Sequence, residues 1–407
     1  MHILLIHQAF AALDEAGGTR HYELAHYLAT HGHTVTIIAS PVSYLTGKTR
    51  QEHNSWVTRE IPEPGITILR TYTYPALHKS FVHRVFSFFS FMASSFFNGL
   101  NVRKVDLVWG TSPPIFQGFT AWLLARLKGV PFLFEVRDLW PAFAIAVGVL
   151  HNKLLISLSL WLEHFLYSHA DQVMVNSPGF IDHVTKRGAK RVVLISNAAD
   201  PKMFDSAGGA RKFRKSHHFE DKFVVLYAGA HGVSNDLGVV LQAAALLKDN
   251  DTVRLVLVGD GKEKPALQSQ AQQLGLSNVL FVPPVPKKEM AGVLASADAC
   301  IAILKPLELY KTTYPNKVFD YMAAGRPVIC AIDGVIRQVV EEADAGCFVP
   351  PGNPQAMAAI IQTMADDPAR TRQMGEKGRI YIEKNFNRAT IAEQLMSLLE
   401  ELRKGHG

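Results

Sequence analysis

One stretch of the sequence shows the fold most clearly: residues 312–330 read TTYPNKVFDYMAAGRPVIC. Pro315 is typical of the start of a helix, and Gly325 is typical of its end. Pro327 then leads into the apolar run Val328–Cys330, which has the composition of a buried strand. A short helix followed directly by a buried strand is the unit from which parallel α/β sheets are built.

The same alternation of apolar runs and amphipathic segments extends through most of the chain, and it predicts parallel sheets covered by helices on both faces. Helical patterns include Arg20–Thr30, Leu237–Lys248 and Lys264–Leu274. The predicted strands are Ile3–His7, Val35–Ala39, Ile66–Arg70, Leu107–Trp109, Phe132–Glu135, Val173–Asn176, Val192–Ile195, Phe223–Tyr227, Arg254–Val258, Val279–Val282, Ala299–Ile303 and Val328–Cys330.

The alternation is interrupted between residues 197 and 222, where turn residues and a Gly-rich basic segment stand. This interruption predicts two doubly wound, Rossmann-like α/β domains that face a cleft. The expected domains are residues 1–200 and residues 201–385. Residues 386–407 are expected to form a helix that packs back on the first domain.

The composition excludes several classes of protein. Of the 407 residues 48% are hydrophobic, which argues against a disordered chain. The net charge of +6 fits an anionic small molecule or membrane surface and does not by itself indicate nucleic acid, so no nucleic-acid partner is expected. Three scattered cysteines make a disulfide framework or a zinc–cysteine site unexpected, and they favour a cytoplasmic protein.

Within the opening stretch, Lys317 falls in the first turn of the predicted helix, where a cation is normally disfavoured. A bound anion would offset that cost, and Asp320, three residues on, can face the same side of the helix. A lysine for phosphate and a carboxylate for ribose hydroxyls would suit a nucleotide-sugar. A solvated Lys/Asp pair on a surface helix is the alternative.

A second candidate loop ends Gly17-Gly18-Thr19 before the helix that Arg20 starts. The two glycines would let a ligand approach the backbone, and the helix start suits phosphate. A tight turn with a helix cap explains the same residues equally well.

Charged residues follow the predicted strand Phe132–Glu135. Glu135, Arg137 and Asp138 stand where a buried strand ends, which is costly unless the charges are paired or used. A structural Arg–carboxylate pair and a functional site both remain open on this pattern.

The segment Phe81–Val102 is rich in Phe, contains no acidic residue and has basic residues near both ends. Its serines recur at helical spacing and leave a wide apolar face. This pattern favours an interfacial helix on an anionic membrane over a helix packed in the core or at a dimer contact.

Taken together, the motifs resemble a retaining GT-B glycosyltransferase of family 4, close to the WbuB-like branch of bacterial surface-polysaccharide enzymes. The resemblance spans nearly the whole chain. Its marks are Gly17–Leu24, Arg137–Pro141, Ile195–Asp200, Tyr227–Gly232 and Asp320–Val328.

The resemblance implies that the N-terminal domain, residues 1–200, binds the acceptor and that the C-terminal domain, residues 201–385, binds the nucleotide-sugar donor. Asp320 matches the second acid of the family's E-x7-E motif, which binds ribose, whereas Thr312 replaces the first acid. The Arg and Lys that often hold the diphosphate are missing near His231, so Lys317 is expected to take this role. The implied donor-binding residues are Gly17, Gly18, Thr19, Arg20, His231, Gly259, Thr313, Asn316, Lys317, Val318 and Asp320.

The resemblance also implies transfer with retained anomeric configuration. The catalytic candidates are Asp138, Arg137 and Lys317. Asp138 is expected to orient the acceptor hydroxyl, and backbone N–H groups of Gly18 and Val318 to stabilise the leaving diphosphate. No metal-binding Asp-x-Asp triplet is identified, so neither a metal nor another cofactor is expected.

The expected reaction moves a sugar, with UDP as the favoured nucleotide, to a glycan or polyprenyl-diphosphate-linked acceptor in O-antigen or capsule synthesis. The protein would act at the inner face of the bacterial cytoplasmic membrane, bound through Phe81–Val102. A GT-B sugar-nucleotide epimerase and a non-catalytic sugar-nucleotide-binding protein remain as alternatives.

Overall fold

The structure is a computed structural model that describes residues 1–43, 47, 49, 55–75, 81–205 and 208–406. Residue contacts divide the chain into two compact units. Unit 1 comprises residues 1–12, 18–196 and 389–407, and unit 2 comprises residues 13–17 and 197–388. The change of unit after Ser196 falls close to the expected boundary at residue 200, whereas the short stretch 13–17 was expected in the first domain.

Unit 1 is built on an eight-stranded sheet. Its strands are β1 (His2–Ile6), β2 (Thr34–Ala39), β3 (Val57–Glu63), β4 (Ile66–Thr71), β5 (Leu107–Ser112), β6 (Phe132–Val136), β7 (Gln172–Val175) and β8 (Val192–Leu194). Their order is β3-β4-β2-β1-β5-β6-β7-β8, and only β3 runs antiparallel to its neighbour. Its helices begin with α1 (Arg20–Thr30), α2 (Phe81–Asn101), α3 (Phe116–Lys128), α4 (Ala142–Ala146), α5 (Lys153–His169) and α6 (Ile181–Lys186).

Unit 2 is built on a six-stranded, fully parallel sheet. Its strands are β9 (Phe223–Ala228), β10 (Val253–Val258), β11 (Val279–Val282), β12 (Ala299–Ile303), β13 (Val328–Ala331) and β14 (Gly346–Phe348), in the order β11-β10-β9-β12-β13-β14. Its helices are α7 (Gly208–Ser216), α8 (Leu237–Leu246), α9 (Lys264–Gln273), α10 (Lys287–Ala295), α11 (Asn316–Ala323), α12 (Val335–Glu342), α13 (Pro354–Asp366) and α14 (Pro368–Asn385).

Strand β9 shows why the apolar runs form central strands. Val224 and Leu226 pack into the hydrophobic core on one face of the sheet, and Val225 and Tyr227 pack into the core on the other face. Successive side chains of a strand point to opposite faces, so a strand covered on both sides must be apolar throughout. The predicted fold class, two doubly wound parallel α/β domains, is confirmed for each unit.

Three elements differ from the sequence prediction. Strand β3 was missed because it is a polar edge strand containing Pro62, and β14 was missed because it has only three residues. The Gly-rich basic segment after residue 205 was expected as a linker, yet it forms α7. Gly209 lets α7 approach α10, since a Cβ on Gly209 would lie 2.6 Å from Cα of Gly292.

The last helix, α15 (Arg388–Gly405), groups with unit 1 from Ala389 onward. Nε2 of His33 lies 3.6 Å from a carboxylate oxygen of Glu400, and Nε of Arg403 lies 3.4 Å from one of Asp106. Among the described residues, no helix is both long enough and apolar enough to span a membrane.

Candidate active site

Helix α11 in unit 2 places the residues singled out in the opening stretch. The helix starts at Asn316, and Gly325 beyond its end has a positive φ of 65°, as expected of a glycine that closes a helix. Val318 and Phe319 are fully buried, which fixes the helix against the sheet. Lys317 and Asp320, which are partly buried, remain on the side that is not packed in the core.

Lys317 is a cation with a polar but uncharged partner. Its Nζ donates a hydrogen bond of 2.8 Å to the hydroxyl of Tyr227 and lies 4.0 Å from the centroid of the same ring. Among the described residues, no carboxylate forms an ion pair with it. Desolvation lowers the pKa of Lys317 to about 7. An anion beside Nζ would restore the charged form, since opposite charges favour ionisation.

The loops beside Lys317 come close to its amine. A Cβ on Gly229 would lie 2.9 Å from Nζ of Lys317, and one on Gly259 would lie 1.9 Å from the carbonyl oxygen of Gly229. Gly259 therefore has to be glycine, which its φ of 147° also requires. The two loops leave the backbone next to the lysine free of side chains.

His231 lies under these loops and is fully buried. Neither of its ring nitrogens has a hydrogen-bond partner among the described residues. Burial, reinforced by the charges of Lys264 and Lys317, lowers the pKa of His231 to about 4. The imidazole is thus neutral at pH 7, and it does not supply the positive charge of the arginine that is missing from this region.

Asp320 has a partner that the sequence analysis missed. Its Oδ2 accepts a 2.6 Å hydrogen bond from Nζ of Lys287, at the start of α10. Nδ2 of Asn316 lies 3.4 Å from the same oxygen, and Oδ1 of Asn316 is buried without a partner among the described residues. The lysine fixes the position of the carboxylate. Only spatial proximity reveals Lys287, which stands 33 residues away.

Two other predicted donor contacts, Thr313 and the N–H of Val318, already have hydrogen-bond partners within unit 2, as does Thr312. The hydroxyls of Thr312 and Thr313 donate to the carbonyl oxygens of Leu309 and Tyr310. The N–H of Val318 donates to the carbonyl of Pro315 at 3.1 Å. The geometry therefore favours local structural roles for Thr313 and for the Val318 N–H over the ligand contacts that the sequence indicated.

The predicted site residues of the first loop separate into open glycines and buried polar groups. Gly17 and Gly18 are exposed, and a Cβ on Gly18 would meet nothing within 4 Å. Thr19 is buried, and its hydroxyl donates to a carboxylate oxygen of Glu23 at 2.6 Å.

Arg20 belongs to a buried network around Glu135 rather than to an open site. Its Nε donates to Oε1 of Glu135 at 3.1 Å, and its other donors bond to the carbonyls of Ser196 and Ile195. His21 contacts Oε2 of Glu135 at 2.6 Å. Burial raises the pKa of Glu135, but His21 and Arg20 outweigh burial and lower the pKa to about 2. This geometry assigns Arg20 a structural role in place of the predicted phosphate contact.

Arg137 and Asp138 follow β6 at its carboxyl end. Nη2 of Arg137 donates to the carbonyl of Pro113 at 2.6 Å. Asp138 is an exposed residue, and desolvation raises the pKa of its carboxyl to about 6 against a smaller opposing effect of Arg137. Of the acids in this stretch, Glu135 is the structural one, and Asp138 is accessible to a substrate.

A small crevice lies at the carboxyl ends of β1, β2 and β5, where ligands bind in sheets of this type. The hydroxyl of Ser87, which is 1% exposed, has no partner among the described residues and lines this crevice. The other lining residues are Gln8, Ala9, Ser40, Val42, Phe88 and Pro114. No sequence pattern predicted this crevice, because its lining residues come from four separate segments.

In the described part of the chain, no three His, Cys, Asp or Glu side chains lie close enough together to bind a metal ion. The sequence does contain one Asp-x-Asp spacing, Asp249-Asn250-Asp251, which the sequence analysis overlooked. It lies in the turn before β10, at the end of the sheet away from α11, and Oδ1 of Asn250 accepts from Thr252.

With this geometry established, comparison with known families identifies the class of protein. Residues 16–198 match the family described as "Glycosyl transferase 4-like domain", and residues 222–367 match "Glycosyl transferases group 1". The chain therefore contains the two domains of a GT-B glycosyltransferase.

One relative and two solved structures resemble the whole chain. The Escherichia coli K12 protein named "Putative colanic acid biosynthesis glycosyl transferase WcaI" is 23% identical over 92% of this chain and 94% of its own. Sucrose-phosphate synthase from Thermosynechococcus elongatus has a TM-score of 0.77 at 22% identity, over 99% of both chains. Anabaena HepE in complex with UDP-glucose has a TM-score of 0.73 at 17% identity, over 98% of this chain and 100% of that one.

Proposed function

We propose that the protein transfers a sugar from a UDP-sugar, with retention, to a glycan or polyprenyl-diphosphate-linked acceptor during bacterial surface-polysaccharide assembly. The observation that carries this proposal is the arrangement at α11: a desolvated lysine without a carboxylate partner stands one turn from a fixed carboxylate. The colanic acid pathway in the name of WcaI supports the polysaccharide role, and the UDP-glucose bound to HepE supports the nucleotide.

In the proposed donor complex, Lys317 binds the diphosphate and Asp320 accepts the ribose hydroxyls. Lys287 donates to Oδ2 of Asp320 and fixes the position of the carboxylate. The absence of a side chain at Gly229 lets the backbone approach Nζ of Lys317, because a Cβ there would lie 2.9 Å from the amine. His231, Asn316 and the Gly17-Gly18 backbone stay within the proposed donor site.

The proposed reaction breaks the bond between the anomeric carbon and the leaving phosphate oxygen. The acceptor oxygen bonds to the same face of that carbon, and its proton passes to the leaving phosphate. Lys317 stabilises the negative charge that builds up on the diphosphate, and Asp138 orients the acceptor hydroxyl. Arg137 holds the loop that carries Asp138 through its contact with Pro113.

Metal-independent transfer is part of the proposal, since Lys317 supplies the positive charge that a divalent cation would otherwise bring. Activity in EDTA equal to activity in Mg²⁺ or Mn²⁺ supports this point. Strict dependence on an added divalent cation contradicts it.

For the acceptor we propose the hydroxyl-lined crevice of unit 1, in which the unpartnered hydroxyl of Ser87 can bind a sugar hydroxyl. A lipid-linked acceptor would place the protein on the inner face of the cytoplasmic membrane. Helix α2 carries both the crevice residue Ser87 and exposed aromatic residues, so it is the element through which we expect this contact.

A non-catalytic sugar-nucleotide-binding protein is the second candidate. It is favoured by Thr312, which stands where the family's first acid would be and donates its hydroxyl to Leu309. Incubation with a panel of UDP-, GDP- and dTDP-sugars separates the two. Release of the nucleoside diphosphate with transfer of the sugar supports the enzyme, and thermal stabilisation without turnover supports the binding protein.

A further inference from the structure

Helix α2 buries Phe91, Ser87 and Ser94 and exposes other aromatic side chains. The hydroxyl of Ser94 donates to the carbonyl of Tyr72 at 2.6 Å, and that of Ser90 accepts from the N–H of Tyr74 at 2.9 Å. These serines satisfy the backbone that follows β4. Phe86, Phe89 and Phe97 of the same helix are exposed by 61%, 53% and 55%. An apolar stripe of this helix thus faces away from the core.

Helix α5 has an exposed apolar stripe of its own. Leu154, Leu158 and Trp161 stand at helical spacing and are exposed by 68%, 53% and 59%. On the inner side of the helix, buried Glu163 accepts from Nε of Arg187 at 2.8 Å and contacts Nε2 of His183 at 2.8 Å. These contacts do not involve the three exposed side chains. Folding of unit 1 gives no reason for these three side chains to be large and apolar.

Helix α3 joins the two stripes into one surface. The rings of Phe89 and Phe116 lie 5.7 Å apart and connect α2 to α3. The rings of Trp122 and Phe165 lie 4.8 Å apart, and those of Phe165 and Trp161 lie 5.5 Å apart, which connects α3 to α5. We name this surface the aromatic face and define it by Phe86, Phe89, Phe97, Leu154, Leu158 and Trp161.

The charged residues at the surface of α2, α3 and α5 themselves are basic. The sequences of α2, α3 and α5 contain a single acidic residue, Glu163, which is fully buried. Exposed basic residues stand at the helix ends, among them Arg103, Lys104, Arg126 and Lys153. An apolar surface with a basic rim complements an anionic bilayer. Two copies of the chain meeting through this face would instead bring two basic rims together.

We propose that α2, α3 and α5 form one membrane-docking surface, which inserts its aromatic face into the interfacial layer of an anionic bilayer. The proposal deepens the proposed function and rests on it for its purpose, because a lipid-linked acceptor lies at such a surface. It adds α5, for which the sequence pattern gave no membrane signal, to the helix that the pattern identified.

The test is sedimentation of the full chain with vesicles of phosphatidylglycerol and phosphatidylethanolamine. The triple variant Leu154→Ser, Leu158→Ser, Trp161→Ser should reduce the vesicle-bound fraction by about fivefold or more. A matched control replaces Leu246, Leu274 and Ile380, which are exposed apolar residues of unit 2, with serine. The control variant should bind the vesicles as the wild type does. The vesicle-bound fraction of the wild type should fall with vesicles of phosphatidylcholine alone and in high salt.

Unchanged binding of the α5 variant would overturn the proposal, as would equal loss in the control. If the variant instead converts a lipid-free dimer to a monomer in sedimentation velocity, the face is a self-association surface and the proposal is wrong. Quenching of tryptophan fluorescence by brominated lipid checks insertion without the triple variant. The part of the quenching that is lost in Trp161→Phe belongs to Trp161. UDP affinity measured without vesicles tests the proposed function separately.

Discussion

At the scale of the residue, Lys317 makes the affinity for a nucleoside diphosphate depend on pH. Its pKa of about 7 in the free protein means that the amine loses its charge as the pH rises above 7. Binding of the anion must then take up a proton, so UDP affinity should fall by up to about tenfold per pH unit above 7. Isothermal titration between pH 6.5 and 9 measures this slope.

The matched control is Lys317→Arg, because a guanidinium stays charged over this range. It should bind UDP with little pH dependence, while uridine should bind the wild type without the slope. A wild-type slope that survives in the arginine variant would show that another group titrates.

Lys317 also lowers the stability of the free protein at neutral pH. A lysine whose pKa is lowered on folding binds fewer protons in the folded state, so stability rises as the pH increases from about 7 towards 10.5. Lys317→Met should therefore raise the melting temperature at pH 6 and lose most of that gain at pH 10. An unchanged melting temperature at pH 6 would contradict the desolvated position of the amine.

Asp320 is the residue whose removal should weaken binding of the nucleoside as well as the diphosphate. The variant Asp320→Ala loses hydrogen bonds to the ribose worth about 1.5–3 kcal/mol each and leaves Lys287 unpaired. Calorimetry with uridine and with UDP should show similar losses. Glu341→Ala, which removes a surface pair with Arg337, serves as the control and should leave both affinities unchanged.

At the scale of the element, Glu135 ties β6 to α1, and its removal should cost stability rather than donor affinity. Breaking one side of a buried ion pair costs about 3–5 kcal/mol, so Glu135→Gln should lower the free energy of unfolding by about that amount at pH 7. Because the pKa of Glu135 is lowered to about 2, the wild type loses this advantage only as the pH falls below about 4.5 towards 2. Urea unfolding at pH 7 and pH 3 measures both effects.

The control for this prediction is Glu383→Gln, which removes an exposed pair with Arg379 and should change the free energy of unfolding by less than about 1 kcal/mol. Equal stability of Glu135→Gln and the wild type at pH 7 would show that the network around Arg20 contributes nothing.

The elements also show which parts of the fold a sequence can predict. Strands such as β9 and β12 are recognisable because every residue is apolar, and α1 was predicted with the bounds that the structure has. Strand β3 and helix α7 were missed because their sequences are polar or Gly-rich, and only packing against β4 or α10 makes them regular. Local sequence predicts the helices and strands that have a clear hydrophobic periodicity, and tertiary packing determines the conformation of the others.

The candidate site was predictable to the extent that one local stretch carries it. Lys317 and Asp320 share a helix turn, so their spacing was informative. Lys287 and Ser87 come from distant segments, and the sequence analysis assigned neither of them a role at the site. Arg20 was misjudged because its side chain is directed to Glu135, 115 residues away.

At the scale of the whole molecule, the two units carry different parts of the account. Unit 2 provides the charged residues suited to a nucleotide-sugar, and unit 1 provides the hydroxyl-lined crevice, Asp138 and the aromatic face. Fifteen large apolar side chains are exposed among the described residues, and all but Leu246, Leu274 and Ile380 belong to unit 1. This asymmetry is expected if only unit 1 contacts a membrane.

The central claim is that the protein consumes a UDP-sugar and depends on Lys317 to do so. The most direct measurement follows UDP release and the anomeric configuration of the product by NMR, with a polyprenyl-diphosphate-linked saccharide as acceptor. We predict that the wild type releases UDP with retention and that Lys317→Ala lowers kcat/KM by at least about tenfold. Donor binding without UDP release across the UDP-sugars, or a Lys317→Ala variant as active as the wild type, would contradict the claim.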